Sequence, residues 1–352
     1  MSLLKLAKRA ALQVGRSVGA FSLALDSEWR HRRLLILCYH GISLRDEHLW
    51  DPRLYMSQEV FRGRLEMLRR HDCAVLRLED AVRQLYAGTL PPRSVVITFD
   101  DGAYDFVDRA LPLLEQFGYP VTVYLSTHYA LRKRPVFDVM CRYILWRSQG
   151  ATLRGRGLLD GCDFDLSTPA LCEEAGYEIR RRATDMRLDS TEKDRLAASL
   201  ARSLGVDYEE LVSARVLQLM RPDEVASCAA RGVDFQLHTH RHRTPMTRED
   251  FLSEVEENRT HIRAMTGGAT LRHFAYPSGF HRPEFDPWLR ELGVVSATTC
   301  VNGIASAGMS PFELPRLSDG QRLPTLEFEG WLSGVSALLP HRGQDVESGA
   351  RM

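Results

Sequence analysis

Two adjacent carboxylates follow a strongly apolar stretch, and this arrangement restricts the fold more than any other feature of the chain. Residues 94–102 read Ser-Val-Val-Ile-Thr-Phe-Asp-Asp-Gly, which predicts a buried strand ending in Asp100 and Asp101. Like charges side by side repel each other and lose hydration at the edge of a core. A bound cation offsets both costs, so the segment indicates a metal site. A tight turn is the alternative, because Asp and Gly both favour reversals.

A second group of metal-binding side chains follows another apolar stretch. Residues 233–237 are Val-Asp-Phe-Gln-Leu, and residues 238–242 are His-Thr-His-Arg-His. Because His238 and His242 are four residues apart, a helical turn or a curled loop directs both imidazoles at one ion. A solvated basic loop is the alternative. Strand C-termini meet on one face of a parallel barrel, so the two groups together favour a single site.

These motifs resemble those of the polysaccharide deacetylases, the NodB-like group also called carbohydrate esterase family four. Residues 98–102 (Thr-Phe-Asp-Asp-Gly) are similar to the first family motif, and residues 238–242 are similar to the second. Residues 274–279 (Phe-Ala-Tyr-Pro-Ser-Gly) are similar to the third. The resemblance covers about residues 33–318 and implies a distorted, TIM-like α/β barrel of seven strands, the NodB homology fold.

The resemblance also implies a division of roles between the paired carboxylates. Asp101, His238 and His242 are expected to hold a divalent metal, with Zn favoured and Co, Ni or Mn as alternatives, while Asp100 stays free as the general base. A metal bound by such a set leaves positions open and lowers the pKa of its water from about 15.7 towards 7. A carboxylate next to a ligand is then placed to take the proton.

The third motif is expected to contact the carbohydrate substrate. In the family a proline and a glycine of this motif shape the catalytic groove, and a backbone N–H stabilises the oxyanion. The matching substrate-binding residues here are Tyr276, Pro277, Ser278 and Gly279, with the N–H donor near Ser278 or Gly279.

Two histidines are candidates for the general acid. Many family members use a late Leu-x-His motif, and the nearest match, Leu339-Pro340-His341, lies in a polar tail. We favour His40, which ends the apolar run of residues 34–39 and precedes a glycine. This segment resembles the Tyr-His motif of the exopolysaccharide and poly-N-acetylglucosamine deacetylase branch. A buried histidine with a purely structural role is the alternative.

The arginine that orients the base in much of the family is missing from its usual place. The aligned residue is Ala275, and Arg272 is out of register. Arg316, in a probable last strand at residues 314–317, is the candidate replacement, because a guanidinium beside Asp100 would keep that carboxylate ionised. A surface arginine is the alternative.

Apolar runs alternate with amphipathic stretches, which is typical of a parallel α/β order. The patterns predict strands at residues 33–39, 74–78, 94–100, 120–126, 233–238, 273–277 and 295–300. They predict helices at residues 57–71, 79–87, 105–117, 222–231, 247–265 and 283–292. We expect an N-terminal helical segment at 1–30, a barrel at 31–330 with an insertion at about 130–215, and a tail at 331–352. The aromatic residues of the insertion have helical spacing, which predicts that they pack in a hydrophobic core. Stacking of Trp146 on a sugar ring is the alternative.

Charge and cysteine content exclude several kinds of partner and compartment. Forty-six basic side chains balance forty-six acidic ones, so no global field favours nucleic acid as a partner. Seven scattered cysteines do not form a disulfide framework and fit a reducing compartment. No Gly-rich phosphate loop is present, so a nucleotide cofactor is not expected.

The N-terminus predicts an amphipathic helix and a possible membrane contact. In a helix over residues 3–21, the apolar side chains share one face and four basic ones lie opposite: Lys5, Lys8, Arg9 and Arg16. Such a helix can lie on an anionic membrane, and docking on the barrel is the alternative. No Ala-x-Ala cleavage pattern follows it, so we expect a cytoplasmic enzyme, peripheral at the inner membrane face.

Together these patterns predict a metal-dependent hydrolase that removes acetyl groups from N-acetylated sugars of an exopolysaccharide, another cell-envelope glycan or its lipid-linked precursor. One alternative is an esterase or amidase that acts on another acylated substrate. The other is an inactive barrel that binds glycan or membrane.

Overall fold

The computed structural model describes residues 3–132, 134–155 and 163–339. Seven parallel strands of this part of the chain close into a barrel, which confirms the predicted fold. They are β1 (Arg33–Tyr39), β2 (Ser94–Asp101), β3 (Thr122–Leu125), β4 (Asp234–Leu237), β5 (His273–Ala275), β6 (Ser296–Asn302) and β7 (Leu314–Ser318). Each strand pairs with the next in chain order, and β7 pairs with β1.

Helices bury the outer face of these strands and the side chains of the barrel interior bury the inner face, which explains why the strands are continuous apolar runs rather than alternating ones. From Leu34 to Tyr39, no residue of β1 is more than 1% exposed. The outer helices are Gln58–Arg70, Leu78–Ala87, Leu111–Phe117, Pro222–Ala230, Arg248–Thr266, Phe285–Glu291 and Thr325–Ser333. Side-chain oxygens cap two of them, because Ser57 accepts from Val60 N and Thr247 accepts from Asp250 N.

The predicted strand at 74–78 does not belong to the closed ring. Only Ala74–Val75 is extended, and it pairs with Ser94 and Val95 at the start of β2. On the same edge of β2, pairing with β3 begins only at Thr98. The short strand therefore pairs with the backbone at the start of β2, which β3 does not reach. The seventh barrel strand is β7, which carries Arg316.

Short elements complete the framework around the barrel. The short strands are Gly41–Ile42 paired with Tyr55–Met56, Thr152–Leu153 paired with Phe164–Asp165, and Ala305–Ser306 paired with β1. The short helical elements are Ala20–Leu25, Glu28–His31, Glu47–Trp50, Phe106–Ala110, Thr127–Arg132, Pro277–Gly279 and Val335–Leu338. Helix Thr325–Ser333 crosses the boundary predicted at residue 330, because Trp331 and Leu332 are buried in the barrel core.

The segment predicted as an insertion forms a helical layer with a core of its own. Its helices are Phe137–Arg147, Pro169–Asp185, Ser190–Ser203 and Tyr208–Ser213. Tyr143 is buried, and its ring centroid lies 5.4 Å from that of Trp50 in the short helix Glu47–Trp50. Trp146 stacks on Tyr143 at 5.8 Å. These aromatic side chains therefore pack within the protein, as the helical spacing predicted.

The N-terminal helix Leu3–Ser17 docks on the barrel through its basic side. Lys8 forms an ion pair with Glu327. Arg16 forms another with Glu329, at 3.0 Å. Leu12 is buried between these contacts. The expectation that these basic side chains face a membrane is therefore wrong for Lys8 and Arg16, because acidic groups of helix Thr325–Ser333 neutralise them.

The apolar side of the same helix, and of the segment that follows it, faces outward instead. Val14 is 61% exposed, Val18 is 69% exposed, and Leu23 of the next helix is 75% exposed. Among the residues that the structure describes, no helix has the length and apolar character needed to cross a bilayer.

Candidate active site

The backbone turns at the end of β2, at the second of the two carboxylates. Asp100 is 2% exposed. The next residue, Asp101, has a φ of 68°, and Gly102 has a φ of 85°. A Cβ at Gly102 would lie 2.2 Å from Leu125 Cδ1, and its positive φ favours glycine. A regular strand would point Asp101 away from the face that Asp100 occupies, whereas the turn directs its side chain to the barrel mouth.

Arg316 of β7 holds Asp100 by a bidentate ion pair in the barrel interior. Its Nη1 and Nη2 groups donate to Oδ1 and Oδ2 of Asp100, both at 2.7 Å, and its Nε donates to Thr299 O at 3.0 Å. Burial alone would raise the pKa of Asp100, but the charge and hydrogen bonds of Arg316 lower it to about 2. Asp100 is therefore ionised at neutral pH, and its orientation is fixed.

Two side chains from the end of β1 approach the same carboxylate. Cys38 Sγ lies 3.6 Å from Asp100 Oδ2, and burial raises the pKa of this thiol, which keeps its proton. His40 Nε2 lies 4.0 Å from the same oxygen, and its side chain is 21% exposed. His40 is thus the residue of this group that solvent and a substrate can reach.

Asp101, His238 and His242 converge on one point at the barrel mouth. Asp101 Oδ1 lies 3.3 Å from His238 Nε2 and 3.1 Å from His242 Nε2. The buried Oδ1 atom has no hydrogen-bond partner. Ligands about 2.0–2.2 Å from a tetrahedral metal lie about 3.3–3.6 Å apart. The donor types, the spacing and the unsatisfied oxygen therefore fit a divalent metal, and the three residues form a possible ligand cluster.

Backbone and side-chain contacts hold the histidines in this orientation. His238 Nδ1 lies 2.8 Å from Ala275 O, so it carries the proton and leaves Nε2 free for a metal. The backbone N–H of His238 donates to Asn258 Oδ1 at 3.0 Å, and Asn258 is fully buried. Thr239 and His242 both have φ values near +60°. These conformations turn the loop so that His238 and His242 face the same point.

The third motif forms a tight turn whose side chains are mostly buried. Tyr276 is fully buried in the core, and the substrate contact predicted for this residue stays a prediction. Pro277 and Gly279 are also buried, and Ser278 alone is exposed. The Gly279 N–H donates to Tyr276 O at 2.8 Å. The Gly279 N–H is therefore already paired, and of the two predicted oxyanion donors the N–H of Ser278 is the remaining candidate. Ser278 has a φ of 56°.

Comparison with known proteins places this barrel in a family. The profile described as polysaccharide deacetylase matches residues 87–157 and 173–297, more than half of the chain. The chain belongs to the polysaccharide deacetylase family.

Curated relatives of this deacetylase-family chain match over short segments. A poly-beta-1,6-N-acetyl-D-glucosamine N-deacetylase of Staphylococcus epidermidis is 31% identical over 74 residues, which cover 21% of the chain and 26% of the relative. A protein of the same name from Escherichia coli is 27% identical over 101 residues, which cover 28% of the chain and 15% of the relative. The chain thus spans about a quarter or less of these relatives.

Solved structures resemble this deacetylase-family barrel over most of its length. The Streptococcus pyogenes deacetylase PplD has a TM-score of 0.55 at 17% identity, covering 88% of this chain and 99% of its own. IcaB from Ammonifex degensii has a TM-score of 0.52 at 16% identity, covering 87% and 97%. At these identities the likeness establishes the fold.

The structure also separates the remaining sequence candidates. Arg272 contacts Glu79 at 3.1 Å and is not the arginine beside Asp100. His341 lies outside the described residues. Cys38 and Asn258 were not predicted as site residues from the sequence. Cys38 could have been predicted, because strand alternation places it on the same face as His40, two residues later. Asn258 lies in the middle of a helix, where no sequence pattern marks it as a site residue.

We predict that Asp101→Ala lowers the bound divalent metal by one equivalent per chain, because it removes the oxygen shared by both imidazoles. Elemental analysis of purified protein after dialysis measures the ratio. Asp108→Ala is the control, since this nearby carboxylate is partly exposed and pairs with Arg109. Equal metal content in the Asp101 variant and the unmodified chain would disprove the ligand assignment.

Proposed function

We propose that the chain is a metal-dependent hydrolase that removes acetyl groups from N-acetylated sugar units of a polysaccharide or its precursor. One observation carries the proposal: adjacent carboxylates have different partners. Asp101 faces two imidazoles at 3.1 and 3.3 Å, whereas Asp100 is held by Arg316. This arrangement keeps an ionised carboxylate beside a metal site without making it a ligand.

Zinc is the cation that we propose for Asp101, His238 and His242, with Co, Ni or Mn as alternatives. Two imidazoles and one carboxylate suit a borderline divalent ion and leave positions for water and substrate. When bound, such an ion polarises the acyl carbonyl and makes a water molecule acidic enough to ionise near neutral pH.

The protein's own groups then move the protons. Asp100 accepts a proton from the attacking water, and Arg316 keeps the carboxylate ionised and aimed. The Ser278 N–H stabilises the oxyanion that forms as water adds to the carbonyl. His40 donates a proton to the sugar nitrogen as its bond to carbon breaks, so acetate and a free amine leave.

The substrate that we propose is a β-1,6-linked N-acetylglucosamine polymer or its precursor. The names of the curated relatives support this substrate class. The direct test is mass spectrometry of β-1,6-linked N-acetylglucosamine oligosaccharides before and after incubation with metal-loaded protein. Loss of acetyl groups is expected. Unchanged glycans together with hydrolysis of a simple acyl ester would favour the esterase alternative.

Asp100→Asn tests the base assignment. We expect turnover to fall about 10²–10⁴-fold, because the amide cannot accept the proton, while bound metal stays at the level of the unmodified chain. Initial rates on the same oligosaccharides, with elemental analysis in parallel, separate catalysis from metal binding. Turnover within about twofold of the unmodified chain would refute the assignment.

The general acid is tested by comparing two histidines. We expect His40→Ala to lower turnover, because His40 lies beside Asp100 at the barrel mouth. His341→Ala should leave turnover unchanged. Initial rates on the same oligosaccharides provide the comparison. The reverse ranking of the two variants would instead assign the acid to the late Leu-x-His motif.

We further propose that the protein works in the cytoplasm, with its N-terminal helix on the inner face of the membrane. The exposed side chains of Val14, Val18 and Leu23 support this contact. Because the barrel's acidic groups pair with Lys8 and Arg16, apolar burial in the lipid supplies more of the binding than headgroup charge.

The membrane contact is tested with paired charge variants. We expect the double variant Val14→Glu and Val18→Glu to lose co-flotation with vesicles that contain anionic lipid, because charge cannot enter the acyl boundary. The control, Gln13→Glu and Ser17→Glu, adds the same charge to the same helix and should still float. Equal flotation of both variants, or none by the unmodified chain, would contradict the proposal.

A further inference from the structure

A second set of metal-binding side chains lies outside the catalytic trio. It consists of His240, Glu257 and His261, and one donor atom from each lies within 4.8 Å of the other two. His240 comes from the same loop as His238 and His242. Its ring is directed instead towards helix Arg248–Thr266, where it stacks on His261 at a centroid distance of 5.0 Å.

One distance between donors in this set equals one in the catalytic trio. His240 Nε2 lies 3.3 Å from Glu257 Oε1, as His238 Nε2 does from Asp101 Oδ1. Donors on one tetrahedral zinc ion are separated by about 3.3–3.6 Å. By contrast, His281 Nε2 lies 2.9 Å from Asp286 Oδ1, a normal hydrogen-bond length.

Neighbouring groups fix the orientation of these ligands, as is usual around bound metals. His240 Nδ1 lies 2.8 Å from Thr127 Oγ1, so its Nε2 is the atom that faces Glu257. Arg241 donates to both oxygens of Glu257, from Nη1 to Oε2 at 2.7 Å and from Nη2 to Oε1 at 3.2 Å. These contacts fix the carboxylate, and its Oε1 also faces His240 Nε2. Glu257 and His261 are four residues apart on one helix, so they share a face.

We propose that His240, Glu257 and His261 bind a second divalent transition-metal ion. The ion takes no part in hydrolysis. It links the loop at residues 238–242 to helix Arg248–Thr266, because the loop supplies His240 and the helix supplies Glu257 and His261. His240 lies midway between His238 and His242 in sequence and is only 4% exposed. The site thereby stabilises the conformation that presents His238 and His242 to the catalytic ion.

The test is a Co²⁺ titration of the full metal-free chain, followed by visible absorption and elemental analysis. The unmodified chain should bind two equivalents. His261→Ala and Glu257→Gln should each lose one equivalent, as Asp101→Ala should, and combining Asp101→Ala with His261→Ala should remove both. His281→Gln is the control, because this histidine also contacts carboxylates but at hydrogen-bond distances, and it should keep two.

Two results would overturn the second site. One is a single equivalent in the unmodified chain that Asp101→Ala abolishes. The other is two equivalents retained by both His261→Ala and Glu257→Gln, each shown to be folded by its thermal unfolding. Neither result depends on turnover, so the second site can fail while the proposed deacetylase activity stands.

Discussion

The adjacency of Asp100 and Asp101 at the end of a buried strand is the constraint on which the site depends. Removing the partner of a buried charge typically costs about 3–5 kcal/mol, so each carboxylate needs its own compensation. Arg316 compensates Asp100 inside the barrel. Asp101 turns to the mouth, where its Oδ1 lacks a hydrogen-bond partner and faces two imidazoles. A cation at this site would therefore compensate the charge of Asp101 in the folded protein as well as take part in catalysis.

The closed parallel barrel is what brings these groups together. Strands β1, β2 and β7 supply His40, Asp100 and Arg316, and the loop after β4 supplies the histidines. All of these strands run in one direction, so their ends open on one face. Non-glycine residues with positive φ recur at this face, at Asp101, His242 and Ser278 among others. The surrounding contacts hold these costly conformations, which aim side chains that regular strands would point elsewhere.

The sequence predicted those parts of the structure that local patterns determine. Apolar runs ending in polar residues identified six of the barrel strands, and short motifs identified Asp101, His238 and His242 as neighbours. Parts that depend on distant partners were not predictable in this way. The orientation of the N-terminal helix depends on acidic groups more than 300 residues away, and the approach of His240 to His261 depends on how a loop packs on a helix. Periodicity contains no information about such pairings.

In the mechanism that we propose, one carboxylate of the pair is a metal ligand and the other is not. A crystal structure of the zinc-loaded chain, with anomalous data collected at the zinc edge, tests this assignment directly. We expect a peak about 2.0–2.2 Å from one oxygen of Asp101 and from Nε2 of His238 and His242, with Asp100 still paired to Arg316. A peak bridging Asp100 and Asp101, or no peak between Asp101 and the two histidines, would show the assignment to be wrong.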